Sequence, residues 1–488
     1  MRKCGILMHI SSLPSDYGIG TMGKEAYRFI DFLNKSGQKY WQVLPVNPTS
    51  YGDSPYQSPS AFAGNPYFID PEILIEKGLL KKNEVENYYF GASETEIDYY
   101  LLFQNRYPML RTAYSRFEKD EEFDDFCDEN AFWLDEFALF MAIKEENHYR
   151  SWIYWDEPFK THDPETMKMT RERLSHTIDF YKFLQFEFFS QWSKMKKYAN
   201  ENGVEIIGDM PIYVALDSAE VWSMPYLFEL DEEHMPINVA GCPPDAFSEK
   251  GQLWGNPLYK WDEMEKTGFA WWIERLKISS ELFDKLRIDH FRGFESYYAI
   301  EYGNEDATEG SWKKGPGMKL FEKIKEKLGD VDIIAEDLGF LTQEVYDLLR
   351  DSGYPGMKVM QFAFDPWGDS AYLPHNHVPG CVLYTGTHDN DTTLGWYRGL
   401  NEAEKSFVDL YLRIKDEKEA VDAVIGATLA SVAETVVIPI QDYLGLGSEA
   451  RMNTPSTLGG NWQFRIEKKD VNDKISEKIR KFAEVYRR

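Results

Sequence analysis

The sequence predicts an α/β protein built on a TIM (β/α)8 barrel, and three observations carry that prediction. Eight short apolar runs rich in β-branched residues recur along the 488 residues, helical stretches of period 3.6 follow several of them, and carboxylates gather where runs end. Parallel strands alternating with helices close into such a barrel, and its chemistry belongs at the C-terminal strand ends.

The first run covers residues 3–10 and is followed by a helical stretch at 24–34. The second covers 40–46, and the third comes only at 204–207. That gap is too long for a connection and holds helical patterns of its own at 98–117 and 131–146, so 47–178 reads as an inserted, mainly helical subdomain between strands two and three. The fourth run is 285–288. The stretch before it, 210–277, is dense in Gly, Pro and Trp and reads as an inserted loop region lining the active-site cleft. Runs at 332–335, 357–362, 381–384 and 435–439 complete the set, with helices predicted at 343–350 and 402–415. No repeat or linker divides the chain, so residues 1–488 are expected to form a single barrel unit.

Composition narrows the partners. Asp plus Glu number 82 against 54 Lys plus Arg, a net charge of −28 that repels phosphate backbones and anionic lipid, which argues against nucleic acid and membrane. Thirty Tyr and 14 Trp exceed what a core requires, and flat rings suit stacking on sugar faces. Cys4, Cys127, Cys242 and Cys381 lie far apart without zinc spacing and read as buried thiols of a reducing compartment. The N-terminus is too weakly apolar for a secretory signal, so the expected location is cytoplasmic.

Three strand ends carry the chemistry. "RIDHFRGF" gives Arg287 and Asp289 on one face of the fourth strand, "IIAEDLG" gives Glu336 and Asp337 after the fifth, and "YTGTHDNDTTLGW" gives His388, Asp389 and Asp391 after the seventh. Taken singly, each has a plainer explanation: a strand-end Asp as cap or turn residue, Arg287 as an interior ion-pair member, His388 as a satisfied histidine. Together they put three carboxylates at one barrel mouth, as acid/base chemistry on a neutral substrate requires. Glycoside chemistry needs one carboxyl ionised and one protonated. Arg287 is expected to keep Asp289 anionic, and the apolar "DIIA" to keep Glu336 protonated. No HExxH, EF-hand or Gly-rich phosphate pattern accompanies them, so neither metal nor cofactor is expected.

The blocks "DSPYQSPSAFAGNPYFID" (53–70), "GDMPIYVALDSAEVW" (208–222), "GCPPDAFSEKGQLWGNPLYKW" (241–261), "LRIDHFRGF" (286–294), "IIAEDLG" (333–339) and "TGTHDNDTTLGW" (385–396) closely resemble the 4-α-glucanotransferases of glycoside hydrolase family 77, the amylomaltases or disproportionating enzymes. The likeness runs from "GILMHISSLPSDYGIG" to "RMNTPSTLGGNWQFR". It implies a barrel with inserted subdomains and no C-terminal β-sandwich, and a retaining transfer of α-1,4-glucan segments to the 4-hydroxyl of an acceptor glucan or glucose. By the same resemblance Asp289 is the nucleophile, Glu336 the general acid/base and Asp389 the carboxylate holding substrate hydroxyls. Arg287 and His388 surround the donor sugar, Tyr56 stacks on it and Asp209 supports the site. Gly251 to Pro257, with Gln252, Trp254 and Asn256, matches a loop arching over bound glucan. The implied partners are maltooligosaccharides, starch- or glycogen-derived glucans, and glucose as acceptor.

Tyr99 and Tyr100 read either as helix packing or as an auxiliary glucan surface, and Trp152 and Trp155 as structural. Two other functions stand beside transfer: an amylase-type α-glucan hydrolase, and a non-catalytic glucan binder, against which the intact acid/base set argues.

Overall fold

The computed structural model describes residues 2–50, 52–244, 248–339 and 341–488, so part of the 241–261 block, residues 245–247, lies outside the described residues. Eight parallel strands close into a barrel: β1 (Lys3–Leu7), β2 (Tyr40–Gln42), β3 (Glu205–Met210), β4 (Lys285–Ile288), β5 (Ile333–Ala335), β6 (Gly356–Val359), β7 (Cys381–Tyr384) and β8 (Thr435–Pro439), with β8 pairing back onto β1. Their side chains are almost all buried, as expected of strands enclosed by a helical ring.

Differences at strand ends have local causes. β1 stops at Leu7 because the chain turns into a 3-10 segment, Ile10–Ser12, and β6 gives way to another at Met360–Phe362. β3 runs on to Met210, which puts Asp209 inside the strand, directly opposite Arg287 of β4. The helix predicted at 402–415 spans Glu402–Leu412 and ends where Arg413 adopts φ +59°, a left-handed cap.

Between β2 and β3 the chain forms helices including Tyr99–Tyr114, Glu121–Glu129, Ala131–Glu146 and the 27-residue Ser175–Glu201, which crosses position 178 and packs on β3. Trp152 and Trp155 are buried there, and the Trp152 indole donates to the Leu216 carbonyl at 2.7 Å.

The 210–277 stretch is less irregular than its Gly and Pro content suggests. Asn238–Cys242 and Gln252–Pro257 pair antiparallel, and Ser296–Glu301 and Ser311–Lys314 extend them into a four-stranded sheet. The segment resembling a loop, 251–257, is thus mostly strand. Gly241 is what admits it: a Cβ there would stand 2.3 Å from the Gln252 carbonyl oxygen.

After β8 come Ile440–Leu444 and the helix Asp473–Tyr486. Cys4 and Cys381 are buried as expected, whereas Cys127 and Cys242 lie on a surface helix and a sheet strand and are only half-buried; Cys4, Cys127 and Cys381 are free thiols. Among the described residues no helix is long and apolar enough to cross a membrane.

Candidate active site

The site is built from β3, β4, β5 and β7 outward. Register sets Asp209 beside Arg287, and the Arg287 guanidinium donates to both Asp209 oxygens at 2.6 and 2.7 Å and to Asp289 Oδ1 at 2.9 Å. Arg287 lies in β4 and Asp289 in the turn directly after it, two residues on, which keeps both side chains on one face. The Asp209 side chain is fully enclosed, while that of Asp289 keeps 30% of its exposure and faces the barrel mouth.

Glu336 follows β5 directly. Its Oε2 accepts from the His290 amide and its Oε1 from the Leu338 amide, each at 2.7 Å, so both oxygens are held by backbone. His290 adopts φ +49°, a left-handed conformation that histidine tolerates better than most residues.

Burial pushes the Glu336 carboxyl up to about 7, with the Asp289 charge adding to the rise and Arg287 and the two amides opposing it. Asp289 departs from the sequence expectation. Burial raises its carboxyl as well, against the pull of Arg287. The reason lies in the geometry: the cation is shared, with two of its three bonds spent on Asp209. Asp289 and Glu336 therefore titrate as one pair. The bond from Arg287 to Asp289 favours the arrangement in which Glu336 holds the proton.

The cluster after β7 divides its labour. Asp391 is structural, accepting from the Thr392 amide at 2.7 Å and the Ser448 hydroxyl at 2.6 Å, and Asn390 closes the turn by accepting from the Thr387 amide at 2.9 Å. Asp337 likewise serves the fold, accepting from the Met357 amide of β6 at 2.5 Å. Asp389 points the other way, with a side chain 46% exposed, and stands 3.2 Å from His388 Nε2.

Tyr56 lies on the loop after β2. Its hydroxyl donates to Asp209 at 2.8 Å, and its ring stacks on His388 with centroids 5.0 Å apart and planes 17° apart. Burial, with the Asp209 charge, holds its phenol well above the usual range, so it remains a donor.

Trp254 packs edge-on against His290, with centroids 4.8 Å apart, and its indole donates to Gln252 Oε1 at 3.1 Å. Asn256 is buried and spends its amide on protein partners, donating to the Val214 carbonyl at 2.8 Å and accepting from Gln57 at 3.1 Å.

Sequence reasoning missed a second set. Asn453 donates to Asp389 Oδ1 at 2.7 Å, Arg451 donates to the Asp389 carbonyl at 2.6 Å, and Trp462 lies 5.7 Å from Tyr56 and 5.8 Å from His388, ring to ring. Tyr99 belongs with them, since its hydroxyl donates to the Trp462 carbonyl at 2.9 Å, whereas Tyr100 is 68% exposed. No strand-end pattern marks 451–462; their one signal was the quoted block "RMNTPSTLGGNWQFR". His290 was also passed over: its Nε2 is buried without a hydrogen-bond partner among the described residues, and burial pushes the ring down to about 3, so it stays neutral. Among the described residues, no group of three or more His, Cys, Asp or Glu could hold a metal ion.

The family model for 4-alpha-glucanotransferase matches residues 8–470. A 4-alpha-glucanotransferase of Clostridium butyricum is 50% identical over 486 residues, covering 99% of this chain and all of its own. That of Thermus thermophilus is 46% identical over 500 residues, covering 100% of this chain and 99% of its own. The solved structure of amylomaltase from Streptococcus agalactiae in complex with acarbose superposes with a TM-score of 0.97 at 43% identity, covering both chains completely.

Proposed function

This chain belongs to the 4-alpha-glucanotransferases of glycoside hydrolase family 77 and transfers α-1,4-glucan segments from donor to acceptor, and we propose that it does so by retaining double displacement through Asp289 and Glu336. Glu336 gives its proton to the glycosidic oxygen while the Asp289 carboxylate attacks the anomeric carbon. The C1–O bond breaks and the reducing-end glucan leaves. The 4-hydroxyl of a second glucan then attacks the anomeric carbon, Glu336 takes back its proton, and the Asp289 ester bond breaks.

The observation that carries this reading is the raised Glu336 carboxyl beside an Asp289 bonded to Arg287. It supplies an acid that is protonated near neutrality next to a carboxylate favoured in its charged form. The exposed Asp389 carboxylate, fixed by Asn453 and His388, is placed to accept hydrogen bonds from donor hydroxyls as the oxocarbenium-like transition state forms. Tyr56 and His388 present a stacked aromatic wall for the donor ring. Trp254, packed edge-on against the buried His290 ring, forms the acceptor wall.

Maltooligosaccharides and starch- or glycogen-derived glucans are the donors in this reading, and glucose is the smallest acceptor. That the Streptococcus agalactiae relative was solved in complex with acarbose supports a saccharide ligand here. The free thiols Cys4, Cys127 and Cys381 suit a reducing, cytoplasmic setting.

The test is to trap the intermediate. Glu336→Gln incubated with an α-maltosyl fluoride, whose leaving group needs no acid, accumulates a maltosyl ester on the peptide containing Asp289, read by mass spectrometry. An adduct on another residue, or the same adduct in an additional Asp289→Asn variant, would sink the assignment.

A further inference from the structure

The turn that carries Tyr56 also holds Trp254. Gln57, the next residue, donates from Nε2 to the Trp254 carbonyl at 3.2 Å and to Asn256 Oδ1 at 3.1 Å. A side-chain amide has two N–H donors, and here both go to one short segment of neighbouring chain. Asn256 passes the anchorage on, since its own amide donates to the Val214 carbonyl at 2.8 Å.

That segment needs an anchor. Trp254 lies between Gly251 at φ +66° and Gly255 at φ +78°, both in the left-handed region. The pairing with Asn238–Cys242 shifts register between Val239 and Gly241, so the ladder holds this part of the strand irregularly. A tryptophan flanked by two glycines with interrupted pairing has little local reason to keep one position. Gln57 supplies that reason, and it does so from the turn whose other member, Tyr56, bonds Asp209 and stacks on His388.

We propose that Gln57 is a positioning residue that fixes Trp254 relative to the donor platform, and thereby sets how the glycosyl-enzyme divides between sugar acceptors and water. The inference rests on the reading of Trp254 as the acceptor wall. Transfer wins over hydrolysis only if the acceptor 4-hydroxyl is held in line with the anomeric carbon while water is kept out. A Trp254 that drifts weakens both conditions and leaves the first bond cleavage, which belongs to Asp289 and Glu336, largely alone.

The experiment compares Gln57→Met, which keeps length and volume but donates nothing, with Trp254→Ala and wild type. Each is given maltotriose, and net reducing ends formed are divided by maltotriose consumed. Transfer creates no net reducing end, so the quotient is the hydrolysed fraction. Gln57→Met, which removes both bonds, is expected to raise that fraction at least about fivefold, the factor that loss of a single hydrogen bond commands. It should also raise the KM for added glucose as acceptor, with thermal midpoint and maltotriose consumption close to wild type.

A role confined to folding would lower the melting temperature and consumption together and leave the fraction where it was. If Trp254→Ala raises the fraction and Gln57→Met does not, the positioning role is wrong and the acceptor wall stands. If Trp254→Ala has no effect, the acceptor-wall reading falls, and the inference about Gln57 falls with it.

Discussion

Glu336 Oε2 accepts a hydrogen bond from the His290 amide at 2.7 Å, so the carboxyl that follows β5 is tied to the residue next to Asp289 at the end of β4. A backbone bond, donated by the Glu336 amide to the Ile288 carbonyl at 3.0 Å, reinforces the tie. The placement of the Glu336 carboxyl relative to Asp289 is thus set mainly by barrel register and by the left-handed turn at His290. Preorganisation of this kind holds the acid where the leaving oxygen will stand.

The first prediction concerns pH. Burial and the Asp289 charge both disfavour the Glu336 anion, so the acid form persists up to about pH 7 and is lost above it. The kcat/KM for transfer is expected to fall as pH rises through about 7. Asp289→Asn removes the neighbouring charge, so the Glu336 titration, followed by carboxyl-carbon NMR, should move down toward the ordinary carboxylate range. A titration unmoved by the substitution would mean that burial alone sets it.

Arg287 separates charge from geometry. Lysine keeps the cation but cannot bond Asp209 and Asp289 through one planar fork. Arg287→Lys should retain the fold and lose roughly a hundredfold in kcat, the scale of one lost preorganised contact. Arg287→Ala leaves the enclosed Asp209 without its cation and should cost ~3–5 kcal/mol of stability in a thermal or denaturant melt. Equal stability of the Lys and Ala variants would contradict the structural half of this argument.

The sequence showed the barrel and the carboxylates gathered at its mouth because both are local signals. Each barrel strand is a short apolar run, and Asp289, Glu336 and Asp389 stand at run ends where a barrel opens. The antiparallel sheet stayed hidden because Gly241, Gly251 and Gly255, which permit its close approach and its irregular strand, are read as loop residues. Asn453, Trp462 and Gln57 stayed hidden for another reason: their roles come from contacts across long sequence separations, which no periodicity encodes. The shared allegiance of Arg287 was equally invisible, because it depends on Asp209 of β3 lying opposite in register.

Asn453 tests whether the C-terminal segment tunes donor binding. Its amide donates to Asp389 at 2.7 Å, and without it the carboxylate keeps, among the described residues, only His388 Nε2 at 3.2 Å as a side-chain partner. Bonds to charged groups are worth about 1.5–3 kcal/mol, so Asn453→Ala should weaken the donor step about tenfold or more, chiefly in kcat/KM for maltotriose. Asn453→Asp, which puts a second carboxylate against Asp389, should be worse than Ala. An Asp variant more active than the Ala variant would show that the contact does not act through the Asp389 charge.

The last prediction sets transfer against hydrolysis in the wild-type protein. In the proposed mechanism both begin with the same glycosyl-enzyme and differ only in what attacks it. Maltotriose alone should yield longer and shorter oligosaccharides with free glucose and almost no gain in reducing ends, as chromatography and a reducing-end assay would record. Added glucose competes for the intermediate, returning maltosyl groups to maltotriose and glucosyl groups to maltose, so raising it should suppress the longer chains, shift products toward maltose and lower the net consumption of maltotriose. Net reducing ends growing in step with maltotriose loss would mean that water reaches Asp289-bound glucan freely, and the wall formed by Trp254 and His290 would then have no part in choosing the acceptor.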